Sequence, residues 1–313
     1  MKTTKGEKRM LKYVIIGSGG TGGALGGYLS KAGKDVTFIA RGAHLKAMQE
    51  KGLEIIRVHD TLYLKHVNAC SEDALQEHPD VIFVCVKSYS IDDILPFIKS
   101  IASPQTVIIP ILNIYGTGAM MQKQLPDLYV LDGCIYVASQ KKAPGVILMS
   151  GDILRVVYGP RRDQEKRLIL EEIRDDLNES GIKGLLSDHI ERDALKKFSY
   201  VSPQGACGLY YHIPAGPMQK PGKERDTFAK LVSEIALLAK AQNIDLGDDI
   251  VERNLNILDH LSPDMTTSMQ KDIASHHASE IAGLIDQVIR TARIYHVSLP
   301  TYEMIAKALK RTI

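Results

Sequence analysis

The chain has 313 residues, 44% apolar and 24% charged, with 39 basic against 37 acidic side chains and a formal net charge of +2. That length exceeds one comfortable core and predicts two domains, and the balanced charge gives no field that would recruit nucleic acid or a membrane surface. No apolar run approaches the roughly 20 residues of a membrane-spanning helix, so a cytoplasmic protein is expected.

The amino-terminal run MKTTKGEKRMLK is basic and reads as a solvated arm. The apolar YVIIG behind it is too short for the core of a secretory leader and runs straight into glycines. YVIIG predicts a strand, and the turn Gly17, Ser18, Gly19, Gly20, Thr21, Gly22 follows, ahead of a helix starting near Thr21. Gly17, Gly19 and Gly22 are spaced G-x-G-x-x-G between strand and helix, the context in which that motif holds a dinucleotide pyrophosphate on a helix amino terminus. The next strand, DVTFIARG, begins with Asp35 and ends with Arg41. An acid at its far end would bind a ribose 2'-hydroxyl, whereas a guanidinium there suits a 2'-phosphate, so NADP(H) is expected over NAD(H). The alternative is a surface arginine that merely solvates a loop.

Two further strands, DVIFVCVK and TVIIPILN, are apolar without alternation, as central strands covered on both faces are. They end in Lys87 and Asn113, which parallel strands would deliver to the crevice beyond their carboxyl ends, where ligands of such sheets bind. LYVLDGCIYVA continues the strand rhythm of a parallel sheet, and GVILMSGDILRVVYG reads as a hairpin turning at Ser150, Gly151 and Asp152. The four cysteines (Cys70, Cys85, Cys134, Cys207) form no C-x-x-C pair, which argues against a zinc cluster and a disulfide framework. Cys85 is expected to be a small buried hydrophobe.

From about Asp188 the pattern changes to amphipathic helices such as TFAKLVSEIALLAKAQ and ASEIAGLIDQVIRTARIYHV, with a Pro/Gly-rich exposed loop, HIPAGPMQKPGKERD, among them. The fold class is therefore α/β: a Rossmann-type parallel-sheet domain over residues 1–188, followed by an all-helical carboxyl-terminal domain over 189–313, with the active site between them. Within HIERDALKKFSYVSP, Ile190, Ala194, Lys197 and Val201 form one helical stripe, placing a lysine on an apolar face. A lysine buried there has a lowered pKa and can donate a proton to the oxygen of a carbonyl being reduced; the alternative is a snorkelling side chain. His276 and Glu280 are spaced i, i+4, but with no third ligand in sight no metal is expected.

The ordered set IIGSGGTGGALGGYLSKAG, VTFIARGAHLKAM, VCVKSYSIDDIL, ILNIYGTG, APGVILMSGDILRVVYG, DALKKF and TTSMQKDIASHHASEI resembles the ketopantoate reductase (2-dehydropantoate 2-reductase) family over nearly the whole chain. The resemblance implies NADPH-dependent reduction of a 2-oxo acid to a 2-hydroxy acid, ketopantoate to pantoate on the route to pantothenate. It also implies roles by position: Lys197 as proton donor, Arg41 on the 2'-phosphate and Lys87 beside the cofactor. Asn113 would lie between nicotinamide ribose and substrate, Ser268 on the substrate carboxylate, and Glu280 as the carboxylate organising both. Twelve residues of straight helix would hold Ser268 about 18 Å from Glu280, so a bend, or a helix starting after roughly Met269, is expected.

The chain departs from the family pattern at Val201 and Gly205, where asparagines usually follow the lysine, and after Asn113, where Ile114 replaces the usual glycine. Two rivals therefore stand beside the main reading: a reductase of a different, more apolar 2-oxo acid, and an NADPH-binding regulator without turnover. The sequence leaves the oligomeric state open, with a homodimer as the assembly to test.

Overall fold

The computed structural model describes residues 9–311 and 313; the arm expected at residues 1–8 lies outside the described residues. Contacts divide the chain into two units. One holds the chain up to Leu112 together with Gly116–Ile190, and the other holds Asn113–Tyr115 and Glu191–Ile313.

The first unit contains strands β1 (Lys12–Ile16), β2 (Asp35–Ile39), β3 (Leu53–Ile56), β4 (Thr61–Leu64), β5 (Asn68–Cys70), β6 (Val81–Val84), β7 (Val107–Pro110), β8 (Tyr129–Val130), β9 (Asp132–Ala143), β10 (Val146–Gly159) and β11 (Lys183–Leu186). Its helices are α1 (Gly20–Lys31), α2 (Gly42–Lys51), α3 (Ile91–Ile101), α4 (Thr117–Gln124) and α5 (Ile169–Glu179). Six strands form a parallel sheet in the order β5-β2-β1-β6-β7-β8. Both faces are buried, as the unbroken apolar runs require. Tyr13, Ile15, Val81 and Phe83 face one core, while Val14, Ile16, Ile82 and Val84 face another shared with α3.

A second sheet runs β11-β10-β3-β4, with β9 on β10. Here the structure corrects two expectations. The run GVILMSGDILRVVYG is not a hairpin but the single strand β10, which absorbs its Ser-Gly-Asp centre in a register shift between Met149 and Leu154. The reversal comes earlier, at Pro144 and Gly145, where Gly145 supplies φ +74. LYVLDGCIYVA likewise does not stay in the parallel sheet: β8 ends at Val130, and β9 starts at Asp132 in the second sheet.

Helix α1 lies between the sheets, and its glycines make that possible. A Cβ on Gly20 would stand 2.7 Å from the Gln140 backbone of β9, one on Gly23 2.7 Å from Ile147 of β10, and one on Gly27 2.4 Å from Ile55 of β3. On another face, a Cβ on Gly26 would stand 2.4 Å from Phe38 of β2. Five glycines in twelve residues are poor helix formers, so tertiary packing rather than propensity holds α1.

The second unit is helical: α6 (Ile190–Tyr211), α7 (Ala215–Met218), α8 (Lys223–Ala241), α9 (Ile250–Asp259), α10 (Ser268–Ala274), α11 (Gln287–Ile294) and α12 (Pro300–Ala308). Phe228, Leu231 and Ile235 of α8 meet Tyr302 and Ile305 of α12 in its core. Glu234 caps α12, accepting the Thr301 and Tyr302 N–H groups at 2.7 and 3.1 Å, an acid placed at the helix's positive end. The loop expected around HIPAGPMQKPGKERD contains α7, with Ala215, Gly216 and Met218 buried, so its middle is packed rather than exposed. No helix among the described residues is long and apolar enough to cross a membrane.

Candidate functional site

The register of the parallel sheet sets one edge of the first unit. Ile16 pairs with Ile39 and with Val84, and Val84 with Pro110, so the segments beginning at Gly17, Ala40, Cys85 and Ile111 leave the sheet on the same side. Gly17 turns the chain with φ +91, and a Cβ there would crowd the Val86 backbone at 2.9 Å. A Cβ on Gly22 would stand 2.2 Å from the Gly17 carbonyl oxygen, so this residue lets α1 close on the turn. Gly19 differs: it is the N-cap of α1, and nothing lies within 4 Å of where its Cβ would be. No side chain caps that helix end and no acid sits in its first turn. An open backbone before a positive helix end fits a pyrophosphate. Gly20, expected to serve the cofactor, has a packing reason of its own beneath β9, and Ser18 is buried.

Arg41 follows β2 by two residues, exposed, as the N-cap of α2. Asp35 stays at the opposite end of the strand. Lys87 is half-buried at the start of the short 3-10 turn Ser88–Ser90. Cys85 is half-buried against the first core, and burial pushes its thiol pKa up, so it is a packing residue rather than a nucleophile. All four cysteines are free.

In the second unit the structure brings Lys197 and Asn113 together: the ammonium of Lys197, on α6, donates to Asn113 Oδ1 at 2.7 Å. Lys197 is half-buried on its stripe, with Ala194 and Phe198 buried beside it. Asn113 is seated by its neighbours. Tyr115 stacks obliquely on Phe198 of α6, and Ile114 packs over Gly283, where a Cβ would stand 2.5 Å from the isoleucine Cδ1. Gly283 lies in a π-helical turn, Ala282–Asp286, that leads into α11. This turn widens the helix, and Ser202 Oγ of α6 donates to its Leu284 carbonyl at 2.6 Å. Residues of α6 thus hold both Asn113 and the turn that accommodates Ile114.

The chain does bend between Ser268 and Glu280, but after the first helix rather than before it. Helix α10 begins at Ser268 under a capping box made by Thr267 and Gln270, and it ends at Ala274. His276 then turns the chain with φ 56. A continuous helix would line up Ile273, His277 and Ile281 on one stripe with Glu280 at its shoulder; the turn interrupts that stripe, and His277 is exposed. Glu280 is not on the shoulder of a helix; it is 4% exposed at the turn where the π segment starts, its carbonyl accepting the Gly283 and Leu284 N–H groups. His276 and Glu280 no longer share a helix face, which removes the geometric basis for a shared metal. No group of three metal-ligating side chains occurs among the described residues. Ser268 is exposed at the first position of α10.

Val201 is half-buried one turn after Lys197. Gly205 is buried, and the Met269 methyl lies 3.0 Å from where its Cβ would be. Sequence reasoning missed the roles of Gly283, Ser202 and Met269; only the unusual A-G-L-I-D run hinted at the first.

A parallel α/β unit with an open glycine turn, joined to a helical unit that presents an oriented lysine, defines a nucleotide-dependent oxidoreductase layout. The comparisons make this specific. The chain belongs to the ketopantoate reductase PanE/ApbA family: that family's model matches residues 13–163, and its carboxyl-terminal model matches residues 189–312. An uncharacterised oxidoreductase, YkpB of Bacillus subtilis, is 26% identical over 299 residues, covering 94% of this chain and 96% of that protein. The crystal structure of 2-dehydropantoate 2-reductase from Methylococcus capsulatus superposes with a TM-score of 0.86 at 21% identity, covering 96% of each chain. A D-mandelate dehydrogenase, in a ternary structure with NADH and anilino(oxo)acetate, also gives 0.86 at 21% identity, over 96% of this chain and 97% of that one. At these identities the two structures carry the fold.

Proposed function

We propose that the protein reduces a 2-oxo acid to a 2-hydroxy acid with NADPH, with 2-dehydropantoate as the first substrate to test. The observation that carries this reading is the 2.7 Å hydrogen bond from Lys197 to Asn113. Reduction leaves negative charge on the carbonyl oxygen, and an ammonium held by a fixed acceptor is an oriented proton donor for it. The bond to Asn113 Oδ1 aims the ammonium.

Gly17, Ser18, Gly19, Thr21 and Gly22 would hold the pyrophosphate through backbone, with Arg41 at the 2'-phosphate and Lys87, Asn113 and Glu280 nearer the nicotinamide end. The bound cofactor supplies the hydride to the carbonyl carbon. Lys197 gives its proton to the oxygen, Ser268 takes the substrate carboxylate, and the buried Glu280 helps order both reactants. Arg41 is suited to NADPH because it stands, exposed, where a carboxylate would select NADH.

The test follows NADPH absorbance at 340 nm with 2-dehydropantoate and a panel of other 2-oxo acids, using wild type, Lys197→Ala and Arg41→Ala. Expected outcomes are turnover by wild type, a fall of about 100-fold or more in kcat for Lys197→Ala, and an increase of about tenfold in KM for NADPH with little change for NADH for Arg41→Ala. Tight NADPH binding without oxidation of any acid sinks the catalytic reading. A second reading, a reductase for a more apolar 2-oxo acid, is favoured by Val201 and by the Met269 methyl beside Gly205; oxidation only with such acids would select it.

A further inference from the structure

His44 has no part in the chemistry above, yet it joins three segments of the first unit. It is 7% exposed, in the first turn of α2, three residues after Arg41. Its Nε2 lies 2.8 Å from the Ser18 carbonyl oxygen, and its Nδ1 accepts the Gly145 N–H at 2.9 Å. The second bond decides the tautomer: a ring nitrogen that accepts carries no proton, so Nε2 carries it and donates to Ser18. His44 is therefore a neutral imidazole connecting the glycine turn, the β9–β10 reversal and the helix that Arg41 caps.

The contact falls on a sensitive peptide. In a trans peptide the C=O and the following N–H point in opposite directions. Holding the Ser18 carbonyl toward His44 holds the Gly19 N–H away from it, at the one residue of the motif whose side-chain space is open. The same ring fixes α2, and so the backbone of Arg41, against that peptide. Burial keeps the imidazole pKa below its ordinary value; the bond to the Ser18 carbonyl acts against this, and the charge of Lys141 on β9 acts with it. The neighbouring segments Gly17–Thr21 and Pro144–Gly145 carry no charged side chain.

We propose that His44 is a positioning residue for dinucleotide binding: it orients the Ser18–Gly19 peptide toward the pyrophosphate and sets the spacing between that peptide and Arg41. This rests on the dinucleotide reading above. It assigns a histidine to cofactor affinity and none to the chemical step.

The test measures the dissociation constants of NADPH and of adenosine 2',5'-bisphosphate by calorimetry for wild type, His44→Phe and His44→Gln, with steady-state kinetics alongside. Phenylalanine keeps the ring volume and removes both polar contacts, while glutamine restores a donor and an acceptor on a flexible stem. Expected is a loss of about 10- to 100-fold in NADPH affinity for His44→Phe, most of it recovered in His44→Gln, with kcat at saturating NADPH within about twofold of wild type. Wild-type affinity in His44→Phe, or a loss confined to kcat, overturns the proposal. Should His44→Phe not fold, nitrogen-15 shifts of the wild-type ring decide: a protonated Nε2 and bare Nδ1 that persist with NADPH support the proposal, and the other tautomer or an imidazolium overturns it. If wild type binds neither NADPH nor NADH, the dinucleotide reading itself falls and this inference with it.

Discussion

Two glycines of one motif should fail in different ways. In Gly22→Ala the new methyl would stand 2.2 Å from the Gly17 carbonyl oxygen and 2.8 Å from Ile15 Cγ2. Both belong to the rigid strand–turn junction, so α1 must move as a body, and overpacking of this kind costs about 1–3 kcal/mol or more. For a unit of this size that corresponds to a drop of roughly 2–12 °C in Tm. In Gly19→Ala the methyl meets nothing within 4 Å, and φ −68 suits alanine. The poorer N-cap and the smaller entropy loss on folding are each worth about 0.5–1 kcal/mol and oppose one another, so apo stability should hold within about 0.5 kcal/mol. The methyl does fill the space in front of the helix end, so NADPH affinity should fall by about tenfold or more. Differential scanning calorimetry without ligand, paired with NADPH titration, reads both effects. A Gly19→Ala protein that loses as much Tm as Gly22→Ala, or that binds NADPH like wild type, would refute this division of labour.

Two further outcomes follow from other contacts. Gly283→Ala should destabilise the helical unit by about 1–3 kcal/mol and lower kcat, because its methyl enters the space of Ile114 beside Asn113; combining it with Ile114→Ala should recover most of the loss in a double-mutant cycle of urea midpoints, and strict additivity would count against the contact. His44 gives a pH signature: its folded-state pKa lies below the ordinary 6.5, so its neutral form contributes stability that is fully present above 6.5 and is lost as pH falls through the folded value. The urea midpoint of wild type should therefore decline below pH 6.5 more steeply than that of His44→Phe, and parallel curves would exclude a role for the imidazole.

Much of this was legible in the sequence because the signals were local. β1, β2, β6 and β7 announce themselves as β-branched runs, and Gly17, Gly19 and Gly22 sit where strand meets helix. The stripe through Ile190, Ala194 and Lys197 placed the lysine, and the structure supplies its bond to Asn113. What failed depended on long-range pairing. β10 looks like two arms because Ser150, Gly151 and Asp152 are turn residues, but pairing with β9 over many residues outweighs that preference. β3 and β4 were not expected at all, since each is only four residues long and gains its stability from distant partners: β3 from β10 and α1, and β4 from β3 and α1. The helix break itself was expected from the distance a straight helix would put between Ser268 and Glu280; its place, over residues 275–279, hides inside an amphipathic pattern, because its histidines and serines break no periodicity that a sequence shows.

The departures from the family pattern have local partners, and this bears on which rival survives. Ile114 takes the place of a usual glycine next to Asn113, and Gly283 in the π turn makes room for it. Gly205 takes the place of an asparagine, and the Met269 methyl closes on it. A pocket that had only lost side chains would contain voids or unpaired polar groups, each costing about 1 kcal/mol or more. Here added volume meets removed volume, and the replaced surfaces are apolar. The contact between Lys197 and Asn113 remains within hydrogen-bonding distance amid these changes. On the proposed reading, with Lys197 as the proton donor, a site repacked in an apolar sense around that lysine is better suited to a different 2-oxo acid than to a regulator that has given up turnover, because a regulator would have no use for an oriented ammonium beside apolar substitutions.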